Sequence, residues 1–210
     1  MTRSSSSGTC ELCSERIPKS EAAGHLARCA PAHDPRGPTQ LLVELSVEAA
    51  EDPRYWIHVE AKADAALRQL DSLLRQVWLE CCGHMSAFYI GRAEPSMSAK
   101  VGQAFRSKGS KFRYEYDFGT TTVLTGQVLG SREGSLGRRS VRLLARNDPL
   151  VWRCSDCGAS ARVICPFCLD SEAYLFCQAH ALKHPCAKEE VFLPVVNSPR
   201  MGVCGYPGSA

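Results

Sequence analysis

Eight residues able to bind soft metals lie within residues 154–186: Cys154, Cys157, Cys165, Cys168, Cys177, His180, His184 and Cys186. No other feature limits the fold so strongly, because a segment this short cannot bury enough apolar surface to fold unaided. A tetrahedral zinc takes four ligands, so these residues fill two closed sites, whereas a single ion would leave four of them over. The interval between the two Cys-x2-Cys pairs is short for a hairpin returning to one ion, and the later ligands need partners of their own. Spacing leaves two pairings open, one sequential and one crossed.

A second constellation stands near the start of the chain, with Cys10, Cys13, His25 and Cys29 in the pattern C-x2-C-x11-H-x3-C. A tight thiol knuckle would supply two ligands and one face of a short helix the other two. Metal binding would then be most of this unit's folding energy. The expected cofactor is zinc, three ions in all. Residues 1–9, MTRSSSSGT, lack the apolar stretch of a secretory signal, which points to the cell interior. In a reducing compartment, paired cysteines accompanied by histidines are metal ligands more often than disulfides. With no apolar run long enough to cross a bilayer, the expectation is a soluble, cytoplasmic protein without a membrane partner.

A catalytic zinc keeps one position open for water, and the ligand count here closes every site. Neither H-E-x-x-H nor H-x-E followed by P-C-x-x-C occurs. The metals therefore read as structural.

Between the cysteine-rich ends, "QLLVELSVEA" and "RYWIHVEA" carry the β-branched and aromatic residues of strands. From Asp64, Leu67, Leu70, Leu74, Val77, Trp78 and Cys81 recur at helical spacing, with Arg68, Gln69, Asp71, Arg75 and Gln76 opposite. "MSAFYIG" reads as a strand, Val101–Phe105 as a short helix, and "KFRYEYDFG" alternates Phe112, Tyr114 and Tyr116 with polar residues. "TTVLTGQVL" and "SVRLLARN" supply further strands, "GSREGSLGRR" a turn between them, and the proline-rich residues 30–40 a linker. The predicted class is α+β: a mixed or antiparallel sheet with a packed helix, flanked by small zinc modules. The predicted units are residues 1–34, a flexible end and zinc finger; 35–150, the central domain; 151–190, the C-terminal zinc module; and 191–210, a tail.

Net charge is only +3, yet residues 92–146 hold eleven Lys or Arg against four acidic residues. That asymmetry marks a surface for an anionic partner, and Lys108, Lys111, Arg113, Arg138, Arg139 and Arg142 are the candidate contacts. Solvated loops and strand edges give the same pattern. Three cysteines, Cys81, Cys82 and Cys204, stay outside the zinc assignments. Cys81 and Cys82 beside His84, with Tyr116 and Asp117, could form a reactive or metal-binding site. Adjacent cysteines closing an amphipathic helix, with Gly83 as its stop, are more often one core and one boundary residue.

Several segments resemble known families. "CELCSERIPKSEAAGHLARC" resembles three-cysteine, one-histidine fingers, including ubiquitin-binding ones, but has Leu26, Ala27 and Arg28 where those carry an acidic residue. The C-terminal spacing resembles B-box and RING-like modules. That resemblance implies a crossed pairing of Cys154 and Cys157 with Cys177 and His180, and of Cys165 and Cys168 with His184 and Cys186. "YWIHVEAKADAALRQLDSLLRQVW", "HMSAFYIG" and "KFRYEYDFG", in this order, resemble bacterial and archaeal proteins similar to the third open reading frame of a pRi plasmid, over about residues 40–145. The resemblance implies a compact α+β fold and an association with mobile elements, and no known reaction. Relatives continue after Y-D-F-G with Asp, Trp and His, where this chain has Thr120, Thr122 and Leu124; many have H-L-H-x-F, where this one has His84 but Ser86. Only His84 and Asp117 carry over.

These readings converge on a zinc-binding adaptor, or a protein that binds nucleic acid or another protein, rather than an enzyme. The alternative is an enzyme or thiol redox sensor using Cys81, Cys82, His84 and Asp117.

Overall fold

A computed structural model describes residues 6–169, 171, 173–189 and 192–208. In chain order its main elements are β1 (Ser7–Cys10), β2 (Arg16–Pro18), α1 (Lys19–Ala32), β3 (Gln40–Ala49), β4 (Trp56–Lys62), α2 (Leu67–Leu74), β5 (Ser86–Tyr89), α3 (Val101–Ala104), β6 (Lys111–Tyr116), β7 (Thr122–Gly134) and β8 (Val141–Asn147). Beyond them come β9 (Val163–Ile164), β10 (Leu175–Phe176), α4 (Gln178–Ala181) and β11 (Leu193–Pro194). Two compact units result. One holds the first eight strands, and the other joins Gln76–His84 to the chain from Pro149 onward.

Alternation in sequence becomes burial on one face of a sheet. On β6, Phe112, Tyr114 and Tyr116 are buried while Lys111 and Arg113 face solvent. The eight strands run in the order β2-β1-β8-β4-β3-β7-β6-β5, antiparallel at each junction. A three-stranded antiparallel sheet, β10-β9-β11, lies in the second unit. The protein is thus mostly sheet, with four short helices among the described residues, less helical than the α+β expectation. The helix expected from Asp64 to Cys81 begins at Leu67 and changes after Leu74 to a π-helical turn over Arg75–Leu79. Its apolar stripe is the expected one, since Leu67, Leu70, Leu74 and Trp78 are all fully buried.

The N-terminal finger joins the main sheet edge-on, β1 pairing with β8 through Gly8↔Asn147, Thr9↔Arg146 and Cys10↔Ala145. Gly8 is required there, because a Cβ would sit 2.3 Å from the Arg146 carbonyl oxygen and 2.6 Å from the Trp56 ring. Ala22, Leu26 and Ala30 of α1 pack with Ile17, Trp56 and Leu144.

Two local expectations are corrected. The segment read as a turn from Gly130 is strand as far as Gly134, because β7 is drawn along β3 past an irregularity between Glu44 and Leu45. The proline-rich linker begins later than expected, since α1 runs through Pro31 to Ala32 and its end is capped by the His33 amide on the Ala30 carbonyl. Just beyond, a buried ion network fastens the end of the finger to the sheet. Glu60, with no exposed surface, accepts from Arg132 Nε at 2.6 Å and from Arg142 Nη2 at 2.6 Å, and both arginines also reach Asp34. The Arg132 guanidinium, outweighing burial, holds the Asp34 carboxyl down at about 2.

Candidate metal centres

Every cysteine of the chain belongs to one of four groups, each made of three cysteines and one histidine. Zinc–sulfur bonds of about 2.3 Å and zinc–nitrogen bonds of about 2.0 Å at tetrahedral angles place neighbouring ligand atoms roughly 3.5–3.8 Å apart. A disulfide would bring two sulfurs to about 2.05 Å. No pair approaches the disulfide distance, the sulfur–sulfur separations match the first geometry, and the ligand atoms of each group lie within 4.8 Å of one another, so all four groups could hold a metal ion.

In the finger, the chain reverses between Cys10 and Cys13, with the Ser14 amide donating to the Cys10 carbonyl and Ser14 in the left-handed region. α1 then presents His25 and Cys29 one turn apart. Cys10 and Cys29 sulfurs lie 3.8 Å apart, and Cys13 Sγ lies 3.5 Å from His25 Nε2. The other ring nitrogen of His25 is 3.6 Å from the Glu15 carboxylate, an outer partner that orients a ligating imidazole. Burial, reinforced by the neighbouring thiols, pushes Cys29 up to about 12 when no cation is present. That cost of a bare thiolate is what a metal removes.

The C-terminal ligands cross over. Cys154, Cys157, Cys177 and His180 form one group, with His180 Nδ1 at 3.5 Å from Cys154 and 3.4 Å from Cys177, and Cys157 at 3.9 Å from Cys177. Cys165, Cys168, His184 and Cys186 form the other, Cys168 lying 3.7 Å from His184. β9 and β10 account for the crossing: their antiparallel pairing sets the knuckle before β9 against the ligands after β10. Cys154 is already a preformed thiolate site. Burial raises its pKa, but the amides of Cys177, Cys157 and Asp156, together with His180, bring it down to about 6. Phe176 and Phe192 pack against the half-buried His184 ring, with centroids 4.5 and 5.7 Å away.

The fourth group is Cys81, Cys82, His84 and Cys204. Spacing gave three ions because Cys204 lies 120 residues from His84, too far for any local motif. Stoichiometry was the available signal. Three groups of three cysteines leave three thiols from twelve, and two of those stand beside a histidine.

The remaining candidate residues are placed as follows. Asp117 is buried with φ of 64°, and its carboxylate accepts the amides of Gly119 and Thr120, so it shapes the bend after β6. Tyr116 is fully buried, with the Arg75 guanidinium 4.8 Å above its ring. Lys108, Lys111, Arg138 and Arg139 are exposed. Arg113 is exposed as well, stacked on Tyr89 and 3.0 Å from Glu115. Arg142 is a correction: it is 5% exposed, and its guanidinium is spent on Glu60, Asp34 and the His33 carbonyl, so it cannot meet a phosphate. Sequence reasoning also missed a cavity of about 290 Å³ lined by Leu26, Glu44, His58, Val59, Lys108 and Leu144. Burial, aided by Lys19, lowers the pKa of His58 to about 4.

No helix among the described residues is long and apolar enough to cross a membrane. No family model and no curated protein matches the chain. Among solved structures, a protein of unknown function from Methanosarcina mazei Go1 is similar in part, with 13% identity over 51% of this chain and 69% of that one, at a TM-score of 0.43.

Proposed function

We propose that this is a cytoplasmic binding or adaptor protein whose zinc ions are structural and whose partner is nucleic acid or another protein. The ligand count carries the reading. Each Cys-x2-Cys group supplies three thiolates and one imidazole, a full tetrahedral shell without a position for a reactive water. The nucleic-acid form of the reading rests on exposed Lys108, Lys111, Arg113, Arg138 and Arg139. The resemblance of residues 40–145 to the plasmid pRi family belongs to the same proposal and associates the protein with mobile elements. The competing enzyme or thiol-sensor reading loses support from the geometry: Cys81, Cys82 and His84 face a third thiol, and Asp117 is occupied by its own turn.

Metal content by plasma mass spectrometry on protein purified under reducing conditions tests the closed sites. At least three zinc ions per chain are expected, and one fewer in Cys10→Ser and in Cys165→Ser. Iron, or variants that keep the native count, would overturn the reading. Fluorescence anisotropy with a labelled duplex tests the partner. Four phosphate contacts predict a weakening of about 150-fold between roughly 50 and 200 mM salt. A flat response removes nucleic acid and leaves the protein partner.

A further inference from the structure

We propose that Cys81, Cys82, His84 and Cys204 form a fourth, exchangeable zinc site that clasps the C-terminal tail. The inference rests on the zinc reading of the other groups and goes beyond it in assigning this one a separate behaviour.

The ligand atoms are already gathered. Cys81 and Cys82 sulfurs are 3.7 Å apart, Cys82 and Cys204 3.6 Å, and His84 Nε2 lies 3.0 Å from Cys82 and 3.3 Å from Cys204. The sulfur–sulfur separations are those of ligands about a common ion rather than of a disulfide, and His84 Nε2 stands a few tenths of an ångström closer to the thiols than a bound ion would leave it. A second observation is independent of them. Cys204 has φ of 52°, between Gly202 at 83° and Gly205 at 65°. A left-handed backbone at a non-glycine residue persists only when its surroundings hold it there.

The site differs from the other three in access. Those each contain one buried cysteine, Cys10, Cys154 or Cys165, whereas none of the four ligands here is buried, and Cys82 and Cys204 are exposed. A chelator or an acceptor protein can therefore approach the ion directly. On the tail side, Ser198 Oγ donates to the Trp78 carbonyl at 2.6 Å, and Arg200 and Tyr206 on either side of the ligand are buried. The clasp closes the loop in which Arg200 is hidden.

The test combines zinc release to a chromogenic chelator, 4-(2-pyridylazo)resorcinol, with trypsin cleavage after Arg200. The native protein is expected to hold four zinc ions and to surrender one at least tenfold faster than the rest. Cys204→Ser and Cys82→Ser should hold three, lack the fast phase, and be cut after Arg200 under conditions where the zinc-loaded native chain resists. Three ions in the native protein and three in both variants would overturn the fourth site while leaving the closed-site reading intact. Four ions leaving in a single phase would overturn exchange. A native protein without zinc, or a Cys10→Ser variant that loses none, would overturn both readings.

Discussion

Replacing Glu60 with Gln should destabilise the protein more than any other single carboxylate change in the main sheet. Glu60 has no exposed surface and accepts three charged N–H donors, two from Arg132 at 2.6 and 3.1 Å and one from Arg142 at 2.6 Å. Gln preserves the size but turns one oxygen into a donor facing guanidinium donors, and leaves two cations with Asp34 as their closest counter-charge. Breaking a buried ion network from one side costs about 3–5 kcal/mol. Arg132 retains 15% exposure and can draw some water, so the lower end, about 3 kcal/mol, is expected. For a chain of this size that is a fall in Tm of roughly 6–12 °C. The assay is thermal unfolding followed by circular dichroism at neutral pH with zinc in excess, alongside Glu44→Gln. Glu44 lies 3.8 Å from Arg132, and burial together with the Glu60 charge raises its pKa, so its neutral substitute should change stability by less than about 0.5 kcal/mol. A Glu60→Gln protein melting within about 2 °C of native, or no lower than Glu44→Gln, would refute the reasoning.

Two further outcomes follow from particular residues. Burial holds the folded pKa of His58 near 4, against 6.5 for a solvated imidazole, so the unfolded chain takes up its proton first and stability falls as pH drops below 6.5, with the loss complete near 4. Between about pH 7 and 5, His58→Gln should lose about 2 kcal/mol less than native in urea unfolding, and parallel losses would contradict this. Gly8→Ala should cost about 1–3 kcal/mol by forcing β1 off the Arg146 carbonyl and Trp56, whereas Gly24→Ala, with nothing within 4 Å on helix α1, should stabilise; urea midpoints that reverse this order would be decisive against the finger's edge-on seating.

Much of the sheet was legible because its longer strands carry β-branched and aromatic residues, in alternation along β6 and in part along β3. β3 runs over the residues that the pattern marked, and Phe112, Tyr114 and Tyr116 are buried as their spacing requires. Strands of two to four residues, such as β1, β2, β9, β10 and β11, carry too few positions for a period to show. Local metal ligands were legible for the same reason that they work: a knuckle and a helical turn fix their separation in sequence. Cys204 was not, because a loop closure between distant segments leaves no local period. Arg142 misled because charge in a sequence does not reveal direction, and its β8 position turns it inward toward Glu60.

Grouping every thiol into sets of three with one imidazole also decides the charge of the molecule. A divalent ion entering such a set displaces three protons, a net change of about −1, so filling four sets shifts the formal balance from +3 to about −1. Loading should acidify a weakly buffered solution by about eleven protons per chain, since the Cys154 thiol, at about 6, is already mostly ionised at neutral pH, and should turn migration from the cathode toward the anode. An anionic partner would then be drawn most strongly, and least selectively, to the metal-poor chain. Attraction that survives loading must come from where Lys108, Lys111, Arg138 and Arg139 stand on the surface, not from the overall sign of the charge.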